Sequence, residues 1–370
     1  MKLEILQENL SAALNQIYRI IPNKPQLPIL SSILLVANKN LITLSATDLY
    51  VGIKTTVSGK ITKPNSVAIP GKIFYSIITS LNPGKLIISL KENTLTITSQ
   101  NNITTIQCLD ATEFPEFPKM NGKAHSLSVS SLEDIESMVG FSTSIDPTRP
   151  VLTSLLFQFD KEGLLVVGTD GFRLATLRLA AEKLKTDVHF LIPAKAITEA
   201  TRIASFYQDA SDVSLKISEK LKQVVIVVGS TQLYVRLIEG EYPPFRKIIP
   251  NGFTLELELD GVEFENQLKR AQIFARESSN IIRFKIFKGE LIITAVSSSY
   301  GKQEGKMAAE IIKGSDGKIA FNSRYLLDFI SALKPEKVSF SMNESLTPAM
   351  LRPADQKDYQ YVVMPFRVNE

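Results

Sequence analysis

The 370-residue sequence predicts an α+β protein assembled from three copies of one domain. A strand, turn and helix segment recurs three times at near-constant spacing, an amphipathic helix precedes each copy, and an aromatic-proline segment closes each copy. The length agrees, because chains much beyond roughly 200 residues ordinarily divide their core among several domains.

Each repeat opens on a first helix. "ENLSAALNQI" from residue 8, "SSLEDIESMV" from 130 and "VEFENQLKRA" from 262 are amphipathic and follow alternating stretches such as "LSVSS" and "TLELELD". Ser130 or Ser131 and Asp260 are the predicted N-caps. Apolar strands come next: "LITLSATD" from 41, "LLVVGTDG" from 164 and "LIITAVSS" from 291 each run into a turn. Thr47 and Asp48 match Thr169 and Asp170, whereas the third copy has Val296 and Ser297.

The second helix follows a short strand in "AIPGKIFYSIITSLNPGK" from 68, "LIPAKAITEATRIASF" from 191 and "AFNSRYLLDFISALKPEK" from 320. Aligning Lys72, Lys195 and Arg324, which lie 123 and 129 residues apart, brings four apolar sets into register. Those sets are Phe74, Ile197 and Leu326; Ile77, Ala200 and Phe329; Ile78, Thr201 and Ile330; and Leu81, Ala204 and Leu333. They fall at i, i+3, i+4 and i+7, the spacing of one buried helix face. Stretches such as "KLIISLKENTLTIT" and "KQVVIVVGSTQLYVRLIEG" then read as hairpins. "EFPEFPKM" from 113, "EYPPFRKI" from 241 and "YVVMPFRV" from 361 close the units, giving domains near 1–124, 125–252 and 253–370.

Three like domains in one chain leave two unlike ends. If each domain joins the next by continuing a sheet edge, both terminal edges stay open until a second chain or ring closure covers them. A closed head-to-tail ring is favoured, of three or of six domains.

Composition sets further bounds. With 44% hydrophobic and 22% charged residues the chain is that of a folded globular protein. The N-terminus "MKLEILQENL" has neither the basic nor the apolar region of a signal peptide, and no run reaches the roughly 18 apolar residues of a membrane span, so a cytoplasmic protein is expected. Residues 1–124 hold 12 Lys and Arg against 7 Asp and Glu, 125–252 hold 14 against 15, and 253–370 hold 16 against 16. Bulk charge therefore does not announce nucleic-acid binding, and any attraction for DNA must come from arrangement on one face.

Catalytic signatures are missing. The lone Cys108 excludes an internal disulfide and a Cys-based zinc site and is expected to be a small buried side chain. His125 and His189 have no second ligand at metal spacing, and the sequence carries neither a phosphate loop nor a nucleophile elbow. In "GTDGFR" from 168, Asp170 beside Arg173 has a catalytic look, but Asp48 recurs at the matching place and the third copy drops the carboxylate. A structural turn is the better reading. No catalytic residue, metal or cofactor is expected.

The basic residues of the second helices carry more. Lys72, Lys195 and Arg324 repeat at one position, Arg202 lies two turns beyond Lys195, and Asn322 and Tyr325 flank Arg324. In a ring whose shared face points inward, such residues suit the phosphates of a duplex. The ending "YVVMPFRVNE" poses a separate question, since Val362, Val363, Met364, Pro365 and Phe366 are too apolar for a frayed tail. Either they are clamped into a core or they form a surface for a partner.

In "KPQLPILSSILL" from 24, "LSATDLYVGI" from 44, "VGTDGFRLA" from 167, "EGEYPPFRKIIP" from 239 and "YVVMPFR" from 361, the whole chain resembles the bacterial sliding clamps, the beta-subunit family of the DNA polymerase III holoenzyme. The resemblance implies two crescent subunits joined head to tail, six domains, sheets outside and helices inside around double-stranded DNA. It implies a non-catalytic processivity factor whose partners are itself, the polymerase III catalytic subunit, the clamp loader, and other polymerases and repair proteins carrying clamp-binding peptides. No membrane is involved. Lys24, Arg149, Lys195, Asn322 and Tyr325 fall on positions it associates with DNA contact, and the repeat alignment adds Lys72 and Arg324.

The peptide groove of the family maps onto Leu152, Thr169, Gly171, Phe172, Arg173, Leu174, Pro243, Lys247, Ile248, Pro348, Val362, Val363, Met364, Pro365, Phe366 and Arg367. A flexible Met and aromatic walls suit varied apolar anchors, and Arg173 or Arg367 suits backbone carbonyls or acids. Two features depart from the family pattern. The chain runs on through Val368, Asn369 and Glu370, and Phe366 stands where many members have Met or another aliphatic residue. Two rival readings are an enzyme using Asp48, Asp170 or Arg173, and a repeat scaffold that binds peptides but not DNA.

Overall fold

A computed structural model of the chain describes residues 1–119, 124–181, 188–218 and 220–367. The extension Val368, Asn369 and Glu370 lies outside them. Each repeat contributes a first strand and helix, a run of strands, a second helix and three closing strands. The first helices are α1 (Gln7–Ile17), α3 (Val129–Asp134) and α5 (Gly261–Ala275), and the second helices are α2 (Gly71–Ser80), α4 (Ala194–Ala204) and α6 (Ser323–Leu333).

The predicted helix faces hold. Phe74, Ile197, Leu326, Ala200, Phe329, Ile78, Ile330 and Ala204 are buried, while Ile77, Thr201, Leu81 and Leu333 are half-buried. Asp260 caps α5 by accepting from Glu263 N at 2.8 Å. At α3 the expected cap is corrected: Ser128 Oγ, rather than Ser130 or Ser131, accepts from Ser131 N at 3.0 Å. A hydroxyl acceptor three residues ahead of its donor has the reach for the cap, and the serines inside the turn do not. α3 is short and continues as a π turn over Ile135–Val139 and a 3-10 turn over Gly140–Ser142.

The strands form four sheets by antiparallel pairing. One holds Lys60–Lys63, Lys2–Leu6, Lys85–Lys91, Thr94–Thr98 and Ile103–Gln107 in that order. An eight-stranded sheet runs from Ala124–Ser128 through Asp212–Ser218, Gln223–Val228 and Thr231–Arg236, then Val51–Ser58, Leu41–Thr47, Ser32–Asn38 and Asn65–Pro70. A nine-stranded sheet runs Val188–Pro193, Ser154–Asp160, Gly163–Thr169 and Arg173–Leu179, then Tyr359–Val363, Ala349–Pro353, Lys337–Met342, Leu255–Asp260 and Glu310–Lys313. The fourth holds Gly301–Ala308, Glu290–Ser297, Ile281–Phe287 and Gly317–Asn322.

Consecutive repeats therefore share sheets. The strand after the Thr47 turn of the first repeat pairs with the last strand of the second, Val51 opposite Val235 and Thr55 opposite Thr231. The strand after the Thr169 turn pairs with the last strand of the third, Arg173 opposite Val363 and Leu177 opposite Tyr359. By contact the chain divides into two compact units, Met1–Leu132 with Thr198–Leu237, and Glu133–Ile197 with Ile238–Glu370. The central repeat is split between them because its two half-sheets continue into different neighbours. Among the described residues no helix is long and apolar enough to cross a membrane.

Candidate functional site

The turn that looked catalytic is a repeated backbone device. Asp48 Oδ1 accepts from Tyr50 N at 2.9 Å and Val51 N at 2.7 Å, and Asp170 Oδ1 accepts from Phe172 N at 2.8 Å and Arg173 N at 3.0 Å. Thr47 Oγ1 donates to Val51 O at 2.9 Å, as Thr169 Oγ1 does to Arg173 O at 2.6 Å. In the third repeat Ser297 Oγ takes over, accepting from Ser299 N at 3.2 Å and Tyr300 N at 3.1 Å. A hydroxyl thus does what the carboxylates do, so the acid serves the turn.

In the second repeat the strand leaving this turn enters an apolar cluster at Leu174. Leu174 and Val362 lie side by side, paired across the two strands, and pack in one cluster with Leu156, Leu165, Val167, Leu191, Phe245 and Met350. Thr169 is buried beside them, Leu152, Pro243, Pro348 and Pro365 are half-buried, and Gly171 and Lys247 are exposed. A depression of about 530 Å³ lined by Leu156, Leu191, Tyr242, Pro243 and Lys247 opens over the cluster. Tyr242 holds its rim by donating to Val167 O at 3.1 Å.

The chain's ending divides into a buried part and an exposed part. Val362 and Val363 are buried strand residues, and the four after them leave the sheet edge. Met364 N donates to Phe172 O at 2.9 Å and Phe366 N donates to Ala320 O at 2.7 Å, so the tail is pinned at both ends. Its side chains are not covered: Phe172 is 57% exposed, and Met364, Phe366, Ile248 and Leu346 are exposed too. Exposed apolar side chains on backbone held this firmly are suited to receiving a partner.

Arg173 works differently from the expectation. Its side chain is only 10% exposed, its Nε meets Asp170 Oδ2 at 3.0 Å, and its Nη1 donates to Asp328 Oδ2. The guanidinium also lies 4.8 Å over the Tyr325 ring and 5.7 Å from that of Phe141. Burial would lower its pKa, but Tyr361 and Asp328 outweigh that and hold it above its ordinary value. With its donors committed, Arg173 ties the turn to α6 and supports the wall. Arg367, by contrast, is exposed.

Lys72, Lys195 and Arg324 are each the second residue of a helix, and all three are exposed. A cation there opposes the helix dipole, costing about 0.3–1 kcal/mol, so helix stability does not explain the recurrence. Lys72 Nζ donates to Asn23 Oδ1, next to the exposed Lys24. Arg202 does not join this set: it donates to Asn15 O at 3.0 Å and Gln16 O at 2.5 Å at the end of α1, and pairs with Glu199. Arg149 pairs with Asp146 at 3.1 Å and reaches Asp170 O at 3.4 Å. Asn322 caps α6 by accepting from Arg324 N at 3.0 Å, and Tyr325 is half-buried, stacked 6.5 Å from Phe172. Both thus stand beside the tail. Cys108 is buried, and burial raises its thiol pKa.

Sequence profiles of the DNA polymerase III beta subunit match the chain in series, the N-terminal domain at 1–118, the central domain at 126–244 and the C-terminal domain at 246–367. A beta sliding clamp of Staphylococcus epidermidis is 30% identical over 366 residues, covering 96% of each chain. The chain belongs to the bacterial sliding-clamp family. A beta sliding clamp of Synechocystis is 29% identical across the full length of both chains. A crystal structure of the DNA polymerase III subunit beta from Pseudomonas aeruginosa superposes with a TM-score of 0.94 at 26% identity, covering 100% of each.

The fold is accordingly that of three clamp domains, and the role is that of a processivity clamp, a non-catalytic one. Against this family frame, sequence reasoning missed Asp328, Tyr242 and Leu346. Asp328 carries only a faint signal, as the one acid of α6, and its partner Arg173 is 155 residues away. Tyr242 was legible only as part of the aromatic close, and Leu346 sits in a loop with no periodicity to mark it.

Proposed function

We propose that two copies of this chain close head to tail into a six-domain ring around duplex DNA, helices inward, and hold the replicative polymerase through the groove beside Met364. The domains lie near 1–124, 125–252 and 253–370, and the site of action is the cytoplasm. The observation that carries the ring is the pairing rule of the sheets. Twice within the chain the strand after the turn of one repeat pairs with the last strand of the next repeat. In the third repeat the corresponding strand, Gly301–Ala308, is an open edge, and so is the last strand of the first repeat, Ile103–Gln107. Pairing these two edges between chains extends the same rule and covers both of them. Apolar side chains stand exposed at both ends, Ile103 at 75% and Ile273 at 64%.

Lys24, Lys72, Arg149, Lys195, Asn322, Arg324 and Tyr325 are the proposed DNA contacts. Cations at helix starts join their own charge to the positive dipole end, which suits phosphate without reading bases. Held by topology, the clamp slides because these contacts need not be strong. Short peptides of the polymerase III catalytic subunit, the clamp loader, other polymerases and repair proteins occupy the groove, their apolar anchors on Leu174 and Val362.

The test is to load the protein onto nicked circular DNA with its cognate loader and measure retention before and after one cut linearises the circle. Loss only after the cut is expected. Equal retention on both forms would make this an ordinary DNA-binding protein and overturn the ring.

A further inference from the structure

A second cavity lies along the same tail and shares Phe366 and Arg367 with the residues assigned to the groove. It has a volume of about 700 Å³ and sits between the outer face of the four-stranded sheet, the loop at Ser345 and Leu346, and Phe366 and Arg367 of the tail. Strand Ile281–Phe287 alternates strictly, with Ile282, Phe284 and Ile286 buried and Arg283 and Lys285 on the solvent face. Lys285 stands directly opposite Lys318 on one neighbouring strand and opposite Ile292 on the other, and Ile292 stands opposite Lys306. Arg283 stands between Ala320 and Thr294.

Like charges set directly across a sheet destabilise it. Here Arg283, Lys285 and Lys318 line one cavity with Arg367, and among the described residues none of the four has a carboxylate within ion-pairing distance. Glu304, the acid of the adjoining strand, is already paired with Lys302 at 2.7 Å. The cluster is therefore complementary to an anion. Two facts choose its kind. The walls are partly apolar, with Phe366 and Leu346, and the space suits a peptide segment, not a duplex. The cavity also adjoins the groove residues along the tail, since Met364 N is bonded to Phe172 O of the turn and Phe366, two residues on, lines the cavity.

We propose that this basic cavity receives the acidic flank of a groove-bound peptide, two or three Asp or Glu residues next to its apolar anchors. The proposal rests on the groove reading above and names a second feature of the same partners. Anchor and flank would straddle the tail, with the acids on Arg283, Lys285, Lys318 and Arg367. Partners of similar apolar anchor would then be ranked by the charge beside it, and more steeply at low salt.

Fluorescence anisotropy tests this with the clamp-binding peptide of the cognate polymerase, lengthened at either end by three Glu or, as reference, three Gln. At least one Glu form should bind about tenfold tighter than its Gln reference at low salt, the effect of three surface ion pairs. In Lys285→Glu with Lys318→Glu the gap should vanish while affinity for the Gln peptide is unchanged, which also reports that the groove is intact. The milder Lys285→Gln with Lys318→Gln should narrow the gap about threefold, by removing attraction without adding repulsion. Equal binding of Glu and Gln peptides, or a gap that survives both variants, overturns the proposal. If no peptide binds in any form, the groove reading itself fails and this proposal falls with it.

Discussion

The two sheet junctions inside the chain follow one plan and differ in what they leave bare. At the first, Arg236 N donates to Tyr50 O at 3.0 Å; at the second, Met364 N donates to Phe172 O at 2.9 Å, the same bond in the same place. The side chains diverge. Gly52 opposes Thr47 in the first turn, and the Phe117 ring lies so close that a Cβ there would meet it at 2.4 Å. Phe117 packs on Tyr234 at 4.8 Å and leaves a cavity of only about 90 Å³. Leu174 holds the place of Gly52 in the second turn, so no ring can close over it, and Phe245, the counterpart of Phe117, is sunk in the core. A charged Arg236 at one junction answers to Met364 at the other. A few side chains at equivalent backbone positions decide whether the same scaffold is covered or, as at the second junction, left open for the proposed partner.

Breaking the second junction's surface should give the largest effect. Met364→Asp with Phe366→Asp puts two charges on the apolar patch and should weaken peptide binding at least a hundredfold, about 3 kcal/mol, with sedimentation still reporting an intact ring. Arg236→Asp, the matching change at the first junction, should leave peptide affinity as it was.

Next comes the support behind the wall. Asp328→Ala removes one of two carboxylates from Arg173, whose side chain is 10% exposed, and should cost about 1–3 kcal/mol in urea unfolding. Adding Arg173→Met should recover part of that loss, because no buried guanidinium is then short of a carboxylate, while Asp170 keeps its two backbone donors. The first junction has Val51 at this position and no such pair, which is why the cost belongs to the second alone. Gly52→Leu, which moves the second junction's side chain into the first, should expel Phe117 and cost about 1–3 kcal/mol.

The repeats, the buried helix faces and the Thr-Asp turns were legible because each is a local pattern, set by spacings of two to seven residues. The second-helix cations were legible as charges. What they touch was not: Arg202 finds its carbonyls 187 and 186 residues away and Arg173 its second carboxylate 155 away. The proposed groove was readable only through the resemblance to the family, since the strands that bring its residues together, Arg173–Leu179 and Tyr359–Val363, meet through sheet pairing that no periodicity encodes. The basic cavity was hidden for the same reason. Arg283, Lys285 and Lys318 are ordinary solvent-face residues until the register sets them side by side.

The smallest effect separates the two turns by backbone alone. The third residue of each has positive φ, 76° at Leu49 and 95° at Gly171, and each N–H is held by the turn threonine, at 3.0 and 3.1 Å. Leu49 bears a left-handed strain of about 1 kcal/mol that Gly171 does not. Leu49→Asn should therefore raise stability by about 0.5 kcal/mol, since Asn tolerates this conformation and the half-exposed leucine gives up some burial in exchange. Gly171→Ala meets nothing within 4 Å and should still cost about 1 kcal/mol, from conformation only. Opposite signs at matched positions in thermal unfolding would mean that the backbone plan is common to both turns and only its residues differ. Loss of stability in both variants would instead mean that Leu49 is held by side-chain packing, and that the first junction owes its closed surface to that leucine as well as to Phe117.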